Sequence, residues 1–178
     1  AVEKSLTTPL ADGLVLEREL FEACNATVEA RALQYVFFAQ RQAAKIKDLP
    51  KESPSRTIER AGVVGGGTMG RGIAMVFADA GTPVTLLEVS TKAHDAAIAA
   101  VAKSYDSMVS RGRLDRAAAD ERIARITGAT DYADLATADL VVEAVFEEMG
   151  VKKDVIAKLD TVVAPDALIA TNTSYLDV

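Results

Sequence analysis

Hydrophobic residues along this chain follow two regimes. In the first they recur at helical intervals: Leu16, Leu20, Phe21 and Cys24 form one stripe, interleaved with Glu17, Arg18, Glu19 and Glu22. Asn25 is placed to end that helix, and Asn25 or Thr27 to cap the next. The second helix puts Leu33, Val36, Phe37 and Ala44 on one face, with Arg31, Gln34, Arg41 and Lys45 elsewhere. Residues 1–12 show no clear period and are expected to form a frayed tail. Pro50 and Lys51-Glu52-Ser53-Pro54-Ser55 read as a helix end and a linker, which predicts a domain boundary near residue 55. Residues 1–57 are therefore read as a helical appendage with its linker, and 58–178 as a second domain.

From residue 58 the regime changes. Short apolar runs at Ala61–Val64, Pro83–Leu87, Asp139–Glu143 and Ala167–Ala170 show no polar alternation. Helical stretches separate them, over 68–80, 92–109, 117–126 and 152–163. Strands of this kind are buried on both faces, so the pattern predicts an α/β fold with a parallel sheet between two helical layers.

The first strand runs into Gly65-Gly66-Gly67-Thr68-Met69-Gly70, a G-x-G-x-x-G match in Gly65, Gly67 and Gly70. Alone such a match could be a tight turn. Between a strand ending at Val64 and a helix opening at Thr68, it reads as the dinucleotide loop of a doubly wound Rossmann sheet. Gly65 permits the turn, Gly67 lets a pyrophosphate approach the backbone, and Gly70 lets the helix lie close on the strand. Glu88 ends the second strand 18 residues after Gly70. A carboxylate there accepts from ribose hydroxyls and repels a 2′-phosphate, which points to NAD over NADP. Its ordinary alternative is a solvated acid capping the following helix.

Composition narrows the remaining chemistry. The 178 residues are 49% hydrophobic and 26% charged, with a net charge of −6. No apolar run is long enough for a membrane-spanning helix, and no basic stripe interleaved with aromatics marks a nucleic-acid surface. One cysteine, Cys24, excludes an internal disulfide and a cysteine-rich metal site; its place on an apolar stripe makes it a packed thiol. The one histidine, His94, reads as an ordinary exposed residue at a helix start. Arg111, Arg113 and Arg116 form a basic cluster, either a solvated helix end or a seat for an anionic ligand. A cytoplasmic setting fits these features, as an organelle matrix would.

Three stretches in order resemble the 3-hydroxyacyl-CoA dehydrogenases: Val63-Val64-Gly65-Gly66-Gly67-Thr68-Met69-Gly70-Arg71-Gly72-Ile73-Ala74, Val141-Val142-Glu143-Ala144-Val145-Phe146-Glu147, and Thr171-Asn172-Thr173-Ser174. Two stretches of the first 50 residues, Glu29-Ala30-Arg31-Ala32-Leu33 and Phe37-Phe38-Ala39-Gln40-Arg41, are similar to the terminal helices of an enoyl-CoA hydratase/isomerase half. That order is the layout of multifunctional fatty-acid β-oxidation enzymes. The resemblance implies oxidation of a (3S)-3-hydroxyacyl-CoA to the 3-ketoacyl-CoA, with hydride transfer to NAD. It implies cofactor contacts from the glycine loop (Gly65, Gly66, Gly67, Thr68, Met69, Gly70), Glu88, Ala144 and Val145. Glu147 and Lys152 would lie near the nicotinamide-side ribose, Asn172 beside the nicotinamide, and Ser174 on the substrate's 3-oxygen. Tyr175 stands where the family has a small polar residue. An acyl-CoA substrate and association with a thiolase or with itself are implied for the full-length enzyme.

The family's general base, a histidine oriented by a glutamate, lies beyond the Asn-Thr-Ser motif, so these residues are expected to bind NAD without turnover, as a piece of a larger enzyme. The rival readings are a stand-alone NAD-binding regulatory module, and a dehydrogenase of a 3-hydroxy substrate without CoA.

Overall fold

The computed structural model describes residues 2–43, 45, 50 and 55–177. The chain divides into two compact units, Ala1–Ser55 and Arg56–Val178. The proposed linker residues 51–54 and Ala44 lie outside the described residues.

The first unit holds three helices: α1 (Val2–Ser5), α2 (Leu10–Asn25) and α3 (Val28–Ala43). Helices α1 and α2 take in residues 2–5 and 10–12, so most of the expected frayed tail is helical. Asn25 closes it, and Thr27 caps α3 by accepting the Ala30 amide at 3.1 Å. The Asn25 side chain is also bridged to Gln34 at 2.7 Å. Neither helix has a buried residue. Leu33 is 71% and Phe37 47% exposed, and Cys24 is exposed rather than packed. Periodicity placed the two helices, but amphipathic spacing says nothing about whether a neighbour covers their apolar residues.

The second unit is a five-stranded, wholly parallel sheet in the order β3-β2-β1-β4-β5. Its strands are β1 (Ala61–Val64), β2 (Val84–Leu87), β3 (Ile126–Ala129), β4 (Leu140–Glu143) and β5 (Leu168–Thr171). The helices are α4 (Thr68–Asp79), α5 (Thr91–Ser110), α6 (Arg116–Ala124) and α7 (Met149–Val162), with a 3₁₀ turn at Tyr132–Leu135. The expected α/β doubly wound sheet is present. Strand β3 and the 3₁₀ turn are additions, and Ile126 belongs to β3 rather than to the preceding helix.

Consecutive strand residues point to opposite faces, so β1, β2 and β3 each feed two cores. Val63 and Leu86 join Ala74, Ala78, Ala97, Val101 and Tyr105 beneath α4, α5 and α6. Val64, Leu87 and Val141 join Leu135, Val155 and Leu159 beneath the 3₁₀ turn and α7. Truncating a fully buried side chain such as Leu86 to alanine would cost about 2–5 kcal/mol. The Tyr105 hydroxyl donates to Asp79 at 2.9 Å, and Arg122 reaches the same carboxylate oxygen at 3.0 Å, tying α5, α4 and α6 together. Burial first, then the Asp79 bond, pushes the Tyr105 phenol well above its ordinary pKa. Among the described residues no helix is long and apolar enough to cross a membrane.

Candidate active site

The strand order reverses direction between β1 and β4, and in open parallel sheets the crevice at that reversal receives ligands. A cleft of about 800 Å³ occupies this place, at the carboxyl ends of the strands. Its floor is Val64, Gly65, Gly67, Thr68 and Met69; one wall is Leu87, Glu88 and Val89, the other Ala144, Val145 and Phe146.

The three glycines of the loop meet three different demands. Gly65 takes φ 97°, a conformation that side chains disfavour. A Cβ on Gly70 would stand 1.7 Å from the Gly65 carbonyl oxygen, so α4 can lie on this turn only if residue 70 has no side chain. A Cβ on Gly67 would meet nothing within 4 Å. Gly67 is also the N-cap of α4, with no side-chain cap bond and no acid in the first helical turn. The helix therefore offers free amides and its positive end to open space, which suits a pyrophosphate.

Glu88 ends β2 beside this loop. Its Oε1 accepts the Gly66 amide at 2.6 Å and its Oε2 the Val89 amide at 3.1 Å. Two amides thus hold the carboxylate in place, and its remaining lone pairs are available to ribose hydroxyls. Helix α5 is capped instead by Ser90, which accepts the Ala93 amide at 3.3 Å, so Glu88 is not that helix's cap.

Not every expected site residue lines the cleft. Gly66 and Gly70 are buried beneath it. Glu147, Lys152, Asn172 and Ser174 lie together at the neighbouring β4–β5 end. Because α7 begins at Met149, three residues earlier than the sequence pattern indicated, Lys152 is turned into the protein. Its ammonium has no exposure and sits 2.9 and 3.0 Å from the Glu143 carboxylate, itself fully buried, and 3.1 Å from Glu147. Burial works against the Lys152 charge, but bonds to Glu143 and Glu147 outweigh it and raise its pKa. Although it stands in the first turn of α7, Lys152 is not a solvated residue. Glu147 is held below the usual carboxylate range chiefly by the Thr173 hydroxyl, then by Lys152, while burial opposes the shift. Asn172 is fixed through its backbone amide to the Glu143 carbonyl at 2.8 Å, and the Ser174 side chain is exposed.

Sequence reasoning missed Glu143, which reads as the polar end of a strand, and the outer lining of the cleft. Tyr132 and Lys158 reach it from the unpredicted 3₁₀ turn and the cleft-facing side of α7, with the Lys158 ammonium 5.4 Å above the Tyr132 ring. His94 is half-buried, pairs with Asp95 at 2.9 Å, and packs its ring on Gly128 of β3. Arg116 is engaged by Asp106 and Asp120. Arg111 and Arg113 join Arg71 and Lys103 around a separate groove of about 460 Å³ between α4 and α5, with no acid among its lining residues.

Residues 60–178 match the family model described as 3-hydroxyacyl-CoA dehydrogenase, NAD binding domain. The chain belongs to this family. The cofactor is NAD, and the open Gly67 cradle beside an anchored Glu88 fits it. A curated relative, the peroxisomal bifunctional enzyme of Cavia porcellus, is 39% identical over 186 residues; it aligns with all of this chain, which spans 25% of the relative's length. Among solved structures, FadB2 of M. tuberculosis is 42% identical with a TM-score of 0.67, over 68% of this chain and 43% of its own. The 3-hydroxybutyryl-CoA dehydrogenase of Escherichia coli K12 is 39% identical with a TM-score of 0.66, over 68% of this chain and 26% of its own.

Proposed function

We propose that this chain is the cofactor-binding part of a multifunctional β-oxidation enzyme that oxidises (3S)-3-hydroxyacyl-CoA to 3-ketoacyl-CoA. The observation that carries the reading is the Gly67 opening, which faces a cleft walled by Glu88 on one side and by Ala144, Val145 and Phe146 on the other, with Glu147, Asn172 and Ser174 at the neighbouring β4–β5 end. Residues 58–178 form the cofactor domain, and 1–57 the helical tail of a hydratase/isomerase half with its linker. The full-length alignment with a bifunctional relative supports this division. That relative's peroxisomal name favours an organelle matrix over the cytosol as the setting.

In this reading the first-turn amides of α4 hold the pyrophosphate and Glu88 the adenosine ribose. Bound NAD supplies the hydride acceptor. Glu147, ionised at neutral pH, accepts from the nicotinamide-side ribose, and Asn172 borders the nicotinamide. The exposed Ser174 hydroxyl donates to the substrate's 3-oxygen and fixes the direction in which C3 faces the cofactor. Ala144, Val145 and Phe146 keep that end of the cleft apolar and limit water. The groove of Arg71, Lys103, Arg111 and Arg113 suits the phosphates of a CoA moiety, which favours a CoA-linked substrate over a free 3-hydroxy acid.

Calorimetry with NAD and, separately, with CoA tests both halves. Binding of each, with CoA affinity falling on Arg111→Ala and NAD affinity unchanged, is the expected result. Failure of NAD to bind would overturn the cofactor reading. CoA affinity indifferent to Arg111 would remove the groove from it.

A further inference from the structure

The buried carboxylate of Glu143 has no task in the reaction just described, yet it joins every element at the nicotinamide end. Its Oε1 accepts the Val145 amide at 2.7 Å and Lys152 Nζ at 2.9 Å. Its Oε2 accepts Lys152 Nζ at 3.0 Å and the Thr171 hydroxyl at 2.6 Å. Its backbone carbonyl takes the Asn172 amide at 2.8 Å. Lys152 then passes the connection to Glu147 at 3.1 Å, and Glu147 accepts the Thr173 hydroxyl and the Ser174 amide. One residue thereby fixes the loop after β4, the first turn of α7 and the turn after β5.

Stability is a weak reason to keep such a pair. Removing two charges from water costs several kcal/mol each, and apolar replacements of buried ion pairs are often as stable. What an apolar pair could not do is hold the Val145 amide and the Thr171 hydroxyl in one plane while handing a charged hydrogen bond to Glu147. Sheet topology separates the two halves of the ligand. By the general rule for this fold, the adenosine half would lie over β1 and β2, at Glu88, and the nicotinamide half over β4 and β5. The Glu143 network lies wholly under the second half.

We propose that Glu143 is a positioning residue which, through Lys152 and Glu147, sets the Val145 and Asn172–Ser174 backbone against the nicotinamide half of the cofactor. The proposal rests on the NAD reading above. It predicts a split that a purely structural pair would not produce, because ADP, which lacks the nicotinamide-side ribose, uses only the adenosine half of the site and NADH uses both.

The test compares calorimetric affinities for NADH and ADP in the whole 178-residue chain and in the double variant Glu143→Leu/Lys152→Met, with thermal melting as the check on folding. The expected double variant melts cooperatively, keeps its ADP affinity within about twofold and loses about tenfold or more for NADH. The fluorescence of bound NADH, which reports the surroundings of the dihydronicotinamide, moves toward that of free NADH. Equal losses for both ligands, or none for either, in a folded variant would overturn the proposal. Should the double variant fail to fold, Thr171→Val removes one hydroxyl at the end of β5. A smaller loss confined to NADH is then expected, and unchanged NADH affinity overturns the proposal. An unsubstituted chain that binds neither ligand would overturn the cofactor reading itself; one that binds both while the variant shows no split overturns the Glu143 proposal alone.

Discussion

Gly70 rests its bare Cα against the Gly65 carbonyl, so close that a β-carbon there would stand 1.7 Å from the oxygen. Three residues earlier, Gly67 faces nothing within 4 Å. Two glycines of one motif thus serve different ends, the first in packing and the second in leaving room for a ligand.

Substitution separates these roles. Gly67→Val places its side chain in the space meant for the pyrophosphate, at a φ of −64° that any residue adopts. NAD binding should become undetectable while circular dichroism and melting stay near those of the parent chain. Gly70→Ala should instead lower stability by about 3 kcal/mol, since overpacking against backbone has no flexible neighbour to yield. Parallel melting curves and NAD titrations check both. Retained NAD affinity in Gly67→Val would make the loop purely structural.

Glu88 governs cofactor choice. With its carboxylate anchored by Gly66 and Val89, a 2′-phosphate would meet a fixed negative charge. NAD should bind more tightly than NADP by about 1–3 kcal/mol. Glu88→Gln should narrow the gap mainly by improving NADP affinity. Calorimetry with both dinucleotides decides it, and equal affinities in the unsubstituted chain would take Glu88 out of the ribose site.

The legible parts of this protein were those with strong local signals. Strands β1, β2, β4 and β5 are apolar runs bounded by turns, and the glycine loop carries its own spacing. Strand β3 escaped because Ile126-Thr127-Gly128-Ala129 has four residues, one of them glycine, directly after a helix. It is a strand because β2 pairs with it, a tertiary cause. Glu143 escaped for a related reason. Its partners Lys152 and Thr171 lie 9 and 28 residues away, and only the packing of α7 and β5 brings them to one carboxylate. Tyr132 and Lys158 reach the cleft in the same way. The stripe of α2 and α3 was legible as a helix pattern, but its cover was not.

A pH dependence follows from Asp139. One of its oxygens accepts the Glu59 and Arg60 amides at 2.8 and 2.9 Å, pinning the chain just before β1. Those two bonds, Arg60 first, lower its pKa against a smaller opposing effect of burial. A carboxyl with a depressed folded pKa contributes stability above its unfolded value of about 3.9 and loses it as pH falls through the folded value. Asp139→Asn keeps an acceptor oxygen and removes only the charge. Urea melts should show the parent chain more stable than the variant at pH 7, with the difference shrinking below about pH 4. A difference constant down to pH 2 would assign the effect to shape rather than charge.

Alone, these 178 residues should bind NADH and yet reduce acetoacetyl-CoA poorly. Oxidation of a 3-hydroxyl requires its proton to leave as the hydride does, and reduction requires the reverse; a positioned acid–base group is worth roughly 10²–10⁴-fold. The one histidine of the chain, His94, lies against Gly128 of β3, at one edge of the sheet. Asn172 and Ser174 follow β5 at the other edge, four strand spacings away, roughly 19 Å. Glu147 is near enough, but the Thr173 hydroxyl and Lys152 hold its carboxyl below the ordinary range, which makes it a weak base. The Ser174 hydroxyl can orient the 3-oxygen without taking up its proton. Acetoacetyl-CoA and NADH, followed at the NADH absorbance band, give the measurement. Turnover in the ordinary enzymatic range of roughly 1–10³ s⁻¹ would show that these residues hold a competent base, and Glu147→Gln would then be the first variant to compare.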